Sequence, residues 1–349
     1  MTTKRILMLL VVVAVLAVLV YFQFRTWERF DWGTFREVTG DLSRGRGIRH
    51  ILIAIALIFF TYWLRAVRWK IFLKPVCRAS LRSLTPTQFI GFTGLALLGR
   101  PGELMRPYLI ARKEGLTMSS QMAVWTVERI FDIGAFTVLM SIDVFAFQDR
   151  FHMHVLQTHP QILRDAGLAL VGLVAGLSLI AMFIHWRGRT FADWLETKLS
   201  PLSPRIAGAL AHKIRAFRDG LNTIQDGKSF LQLAGVSLAI WFLIALAYRY
   251  VLHAYPQPEL RQMHVPQVML LMASSMVGSM IQLPAIGGGS QLAVISMLSS
   301  PEWFNVPKEL AVSAGILLWL VTFMTVIPVG LALSRHEHLS ISKLSKQIE

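Results

Sequence analysis

Residues 88–111 read QFIGFTGLALLGRPGELMRPYLIA: an uncharged run of eleven residues (Gln88–Leu98), then Gly99-Arg100-Pro101-Gly102-Glu103, then the shorter run Leu104–Ala111. Eleven helical residues cover about 16 Å, roughly half of a hydrocarbon core about 30 Å thick. A Gly-Pro-Gly break at that depth leaves backbone groups unpaired, which is tolerated only where protein or a water-filled cavity surrounds them. The stretch is therefore expected to enter and leave by one face, as a re-entrant hairpin. A second stretch has the same design: Val268–Leu283, a Pro284–Ser290 break containing Gly287, Gly288 and Gly289, and then Gln291–Leu298.

The composition calls for a bilayer. Of 349 residues, 54% are hydrophobic and 16% charged, against about 25% charged in an average soluble chain. Apolar runs of spanning length are Ile6–Phe22, Ile48–Leu64, Met122–Phe147, Gly167–Trp186, Phe230–Val251 and Leu310–Leu333. The expected fold is an all-α polytopic membrane protein, a single transmembrane domain over 1–349 with about six transmembrane helices plus two re-entrant broken-helix pairs. Trp63 and Trp186, near the ends of their runs, suit an interfacial aromatic belt. Lys4 and Arg5 precede the first run, and no small-residue cleavage site follows at Tyr21–Arg25. Residues 6–24 are thus read as an uncleaved N-terminal span. One cysteine, Cys77, excludes an internal disulfide framework and any multi-cysteine metal site.

The net charge is +15, from 35 Lys+Arg against 20 Asp+Glu. In a soluble chain that would suggest nucleic acid. In a membrane chain it reads as basic loops held on the cytoplasmic side, facing anionic headgroups, so no nucleic-acid partner is expected. Seven Lys/Arg and no acid lie between Arg65 and Pro101, and eight more Lys/Arg lie in the loop 187–228. Both segments are assigned to the cytoplasm of a cell inner membrane protein, with both termini on that side. Residues 25–49, with six arginines, are the exception. In this orientation 48–147 is an inward span, a cytoplasmic re-entrant pair and an outward span. Residues 230–333 have the same parts inverted, as in transporters built from inverted repeats. Arg205–Thr223 places Ile206, Leu210, Ile214, Phe217 and Leu221 at helical spacing. It is read as an amphipathic helix that lies on the cytoplasmic leaflet or packs on neighbouring loops.

Ionisable residues inside spans cost about 2.5–3.5 kcal/mol each on insertion scales and need a partner or a function. Arg100, Glu103 and Arg106 follow the first break, and Glu128, Arg129 and Asp132 lie on the next span at similar depth. The two clusters should meet. Their charges sum to zero, so at most one or two arginines are left for a ligand. Arginine's planar fork suits phosphate. Arg106, beyond the hairpin tip, is expected to be the arginine with donors to spare, and Arg129, flanked by two carboxylates, the structural one.

At the second break Gly287, Gly288, Ser290 and Gln291 bring backbone N–H and neutral polar groups to a helix start, a setting that favours phosphate or carboxylate, or else merely a tight turn. No zinc-peptidase, Walker A or serine-elbow motif occurs. His152, His154 and His159 have no carboxylate or thiol pattern beside them. No cofactor, no metal and no catalytic residue is expected.

Gly99-Arg100-Pro101-Gly102-Glu103 with Arg106, then Glu128-Arg129-x-x-Asp132, then Pro284-x-x-Gly287-Gly288 resemble the lysylphosphatidylglycerol synthase transmembrane-region family over roughly 48–333. The family includes flippase-like proteins and the flippase portion of multiple peptide resistance factors. In it an acidic residue often follows the Pro-Gly-Gly break, where Gln291 stands here. No stretch of this sequence is long and polar enough for the soluble aminoacyl-transfer domain of the full synthases, so none is expected. The resemblance implies lipid movement without lipid modification, with membrane lipids and an anionic or phosphate-bearing headgroup as partners. Two alternatives stay open: a membrane transferase acting on a lipid-linked substrate, or a non-transporting partner of a lipid-modifying enzyme.

Overall fold

The computed structural model describes residues 31–42, 45–146, 160–201, 203–221, 226–279, 282–283 and 287–337. The expected span 6–24, the three histidines 152, 154 and 159, and Pro284–Ile286 of the second break lie outside these residues. The described chain is all-α. Its helices are α1 (Trp32–Leu42), α2 (Arg46–Leu73), α3 (Leu81–Leu98), α4 (Met105–Glu114), α5 (Met118–Ala146), α6 (Pro160–Leu199), α7 (Pro204–Leu221), α8 (Gly227–His253), α9 (Pro258–Arg261), α10 (Val265–Gly278), α11 (Gly289–Ser299), α12 (Lys308–Trp319) and α13 (Val326–His336). Three helical stretches among them are long and apolar enough to cross a bilayer: Arg46–Leu73, Gly227–His253 and Lys308–His336.

Several elements differ from the expected runs. α2 continues nine residues past Leu64, because Trp69, Phe72 and Leu73 extend its buried face through two arginines. α3 begins at Leu81 rather than Gln88. Ser80 caps it by accepting from the Ser83 amide at 3.2 Å, and Pro86 lies early enough to be tolerated, leaving unused only the carbonyl of exposed Arg82. The last run, Leu310–Leu333, is interrupted. A π turn, Leu320–Met324, separates α12 from α13, and the Thr325 amide reaches back five residues to the Leu320 carbonyl at 3.1 Å. Pro328 has no N–H for the Met324 carbonyl, which favours an irregular turn just before it. α7 coincides with the expected amphipathic segment and packs on α5 and α6. It buries its small face, Ala207 and Ala211, and leaves Ile206 and Leu210 exposed. Arg215 ties it to Asp193 and Glu196 of α6, both at 2.6 Å.

The helix packing has a two-fold pattern. α2 and α8 pack antiparallel: Arg68 meets Ser237 at one end, and His50 meets Tyr250 at the other. α3–α4 is a hairpin whose outer ends adjoin, since the Ser83 hydroxyl donates to Glu114 at 2.5 Å and Lys113 donates to the Ser83 carbonyl at 3.3 Å. These ends lie by the end of α2 and the start of α8, where Leu73, Leu84, Ile110 and Leu233 share one apolar cluster. α10–α11 is a second hairpin. It enters from the opposite end of the molecule, since α10 follows the end of α8, where His253 contacts the Met263 carbonyl. α3 packs closely on α13, and α10 touches α5 over a much smaller area. At each tip two backbones touch. A Cβ on Gly102 would strike the Gly94 carbonyl, and one on Gly278 would strike the Gly289 carbonyl. Between the second hairpin's arms Gln282–Leu283 pairs antiparallel with Gly287–Gly288.

Candidate functional site

The centre of the molecule holds charges that the surrounding helices have taken from water. Glu128 on α5 is fully buried. Arg106 reaches it from α4 with Nη2 at 2.6 Å from Oε2 and Nη1 at 3.0 Å from Oε1. Arg68 reaches it from α2 with Nη2 at 2.5 Å from Oε1. The other fork nitrogen of Arg68 donates to Asp132 at 2.7 Å and to the Ser237 hydroxyl of α8 at 3.0 Å. Asp132 also accepts from the Trp241 indole at 3.2 Å, and Arg129 lies 3.1 Å from its second oxygen. One network thus binds α2, α4, α5 and α8. Removing a partner from such a network is costly because it leaves a buried charge uncompensated.

Two expectations about the arginines are corrected. Arg106 is the structural one. Gly91 lets α4 lie so close to α3 that a Cβ there would be 2.6 Å from the Arg106 Cβ. The Arg106 side chain is thereby directed inward to Glu128, to the Gln88 amide oxygen at 3.3 Å, and to the faces of Trp69 and Phe92. Arg129 is the open one, with a side chain 38% exposed. It follows Glu128 on the helix, so it points about 100° away from it. The charge balance also differs. Arg65 and Arg68 join the cluster, giving four arginines against Glu103, Glu128 and Asp132 among the described side chains. The side chain of Arg100 lies outside them.

Arg65 and Arg68 were hidden in the sequence within a stretch that reads as a basic loop. The available signal was the helical spacing of Tyr62, Arg65, Trp69 and Phe72, which continues the buried stripe past the last uncharged residue. Arg65 is 8% exposed and stacks over Phe92 at 4.9 Å. Its nearest carboxylate oxygen, on Asp132, is 3.9 Å away, and its Nε has no partner.

A cavity of about 340 Å³ opens beside this network. Its walls include Arg65, Glu103, Arg129 and Asp132 on one side and Tyr248, Ser275 and Thr322 on the other. Thr322 belongs to the π turn, so the irregularity in the last span falls on the cavity wall. Ser290 and Gln291 line a small pocket that shares Tyr248, Ser275 and Thr322 with it. Gly287 and Gly288 are not among the described residues on either wall. They form the strand-like pairing, and Gly288, at φ 119°, is the N-cap of α11. At this position the glycines serve the turn.

Arg106, Glu128, Arg129 and Asp132 therefore converge on one network beside a polar cavity, with Glu103 on the cavity wall. The family described as lysylphosphatidylglycerol synthase TM region matches residues 6–330. The chain belongs to that family. Among curated proteins and among solved structures none matches. Membership makes the chain a multi-pass membrane protein with the membrane domain of lipid-related proteins, and the three long apolar helices agree. It also places the charge network within a membrane domain, where unpaired ionisable groups are most costly.

Proposed function

We propose that the chain is a flippase-like transporter, and not an enzyme, that moves a lipid with an anionic or phosphate-bearing headgroup between leaflets of the cell inner membrane. The observation that carries this is Arg65: a buried guanidinium on the cavity wall whose Nε has no partner and whose nearest carboxylate oxygen is 3.9 Å away. Arg129, also on that wall, likewise has an unpartnered Nε. Planar forks with donors to spare suit a phosphate oxygen. Glu128 and Asp132 are each engaged by at least two arginines, which suits a fixed electrostatic frame better than a proton-transferring pair. The headgroup would cross through the cavity while the tails stay in the lipid.

The two hairpins, entering from opposite ends of the molecule, are read as re-entrant from opposite leaflets, making 48–147 and 230–333 inverted repeats. Both termini would be cytoplasmic. In a background lacking Cys77, cysteines at the exposed positions 82 and 112 should label from the cytoplasmic side, and those at 262 and 302 from the outer side. Labelling of 82 and 112 from opposite sides would turn the first hairpin into an ordinary span. The transport reading is tested in vesicles containing the full chain and tail-labelled phosphatidylglycerol. Arg65→Ala should lose most of the translocation, with a smaller fall in melting temperature than Arg68→Ala because Asp132 keeps Arg68 and Arg129. Wild-type rates in that variant would reject the site.

A further inference from the structure

The cavity has two unlike walls, and the difference assigns a headgroup class. On the α2–α5 side stand Arg65, Arg129, Asp132 and Glu103. On the other side, α8, α10 and α11 contain no Asp or Glu at all, and the wall they form with the π turn offers hydroxyls. Thr322 spends its one hydrogen on the Leu318 carbonyl at 2.7 Å. The Thr322 oxygen keeps acceptor capacity, part of it met by the Tyr248 hydroxyl beside it. Tyr248 lies 3.4 Å from the Ser275 hydroxyl, a long bond easily exchanged for a ligand's. A neutral, acceptor-rich wall opposite spare arginine donors matches a phosphate carrying O–H groups. An ammonium would find Glu128 and Asp132 already engaged and four arginines nearby; of the described carboxylates in the network or on the cavity wall, Glu103 alone has no ion pair. The volume, about 340 Å³, equals roughly eleven waters at about 30 Å³ each, room for a phosphate and a small polyol.

We propose that the cavity selects a lipid whose phosphate is esterified to an uncharged, hydroxyl-bearing group such as glycerol or a sugar, and discriminates against a headgroup carrying an amine. This rests on the reading of the cavity as a headgroup site. The experiment measures binding and movement separately. Purified full-length protein is titrated with short-chain phosphatidylglycerol, phosphatidic acid, phosphatidylethanolamine and lysylphosphatidylglycerol, followed by thermal shift. Tail-labelled versions of the same four are followed in vesicles.

Phosphatidylglycerol should bind about tenfold more tightly than either amine-bearing lipid, an effect the size of one well-made hydrogen bond. Its preference over phosphatidic acid should fall to about one in the double variant Tyr248→Phe, Ser275→Ala, since the hydroxyl contacts are then gone. Equal or tighter binding of lysylphosphatidylglycerol overturns the proposal. So does phosphatidylethanolamine binding that Glu103→Gln abolishes, which would assign an amine to Glu103. Free glycerol 1-phosphate that displaces the lipid at equal concentration would make this a solute site and overturn the lipid assignment. Selective binding without movement overturns the transporter reading and leaves this one standing, so the two failures are distinguishable.

Discussion

The two broken hairpins occupy matching places in the helix packing and have opposite chemistry. The first, α3–α4, carries Arg106 into a network of four arginines and two carboxylates drawn from α2, α4 and α5. The second, α10–α11, brings Ser275, Ser290 and Gln291 to the cavity region and no charge. Both tips use the same steric device, two glycines whose backbones touch. Two hairpins of similar plan can therefore hold a charged half-site and a neutral one, although the second adds the pairing of Gln282–Leu283 with Gly287–Gly288.

The strongest way to break that comparison is to attack the charged half. Glu128→Leu would leave Arg68 and Arg106 without their shared carboxylate, at a cost of about 3–5 kcal/mol. Arg68→Ala should come close to it. Thermal unfolding of the detergent-solubilised protein reads both, with Gln291→Leu in the neutral half as the contrast. A fall for Gln291→Leu as large as that for Glu128→Leu would show that the halves do not differ as described.

A smaller effect tests the likeness of the hairpins. Gly102→Ala and Gly278→Ala each force a methyl against backbone, which cannot yield as a flexible side chain would, and each should cost about 1–3 kcal/mol. The two losses of melting temperature should be similar. Tolerance of one alone would mean that the tips are packed differently.

The smallest expected effect lies at the seam between the halves, where the Thr93 hydroxyl donates to the Val326 carbonyl at 3.2 Å. Thr93→Val keeps the shape and loses that bond, about 1 kcal/mol. If the melting temperature is unmoved, the seam is held by apolar contact alone.

The residues that punctuate the chain made the architecture legible. Gly99–Gly102 and Pro284–Gly289 announce breaks too deep for ordinary spans, and the uncharged runs give most helices. The meeting of Arg106 with Glu128 followed from the cost of placing charges at one depth. Helix ends were less legible where polar turns belong to a helix. Ser80–Thr85 opens α3 with a cap and a tolerated proline, and hydropathy sees neither.

By itself, then, the sequence determined the solvent, the broken hairpins and the set of charges that must find partners, because hydropathy, glycine and proline act locally. Only the tertiary structure decided which arginine pairs and which stays open. That choice depends on the angle at which a side chain leaves its helix and on how closely two backbones approach, as at Gly91 and Arg106. It also brought Arg65 and Arg68 in from a stretch that reads as a basic loop, and it set the π turn at Leu320–Met324 against the cavity. Spacing along one chain does not encode which faces of five helices will meet.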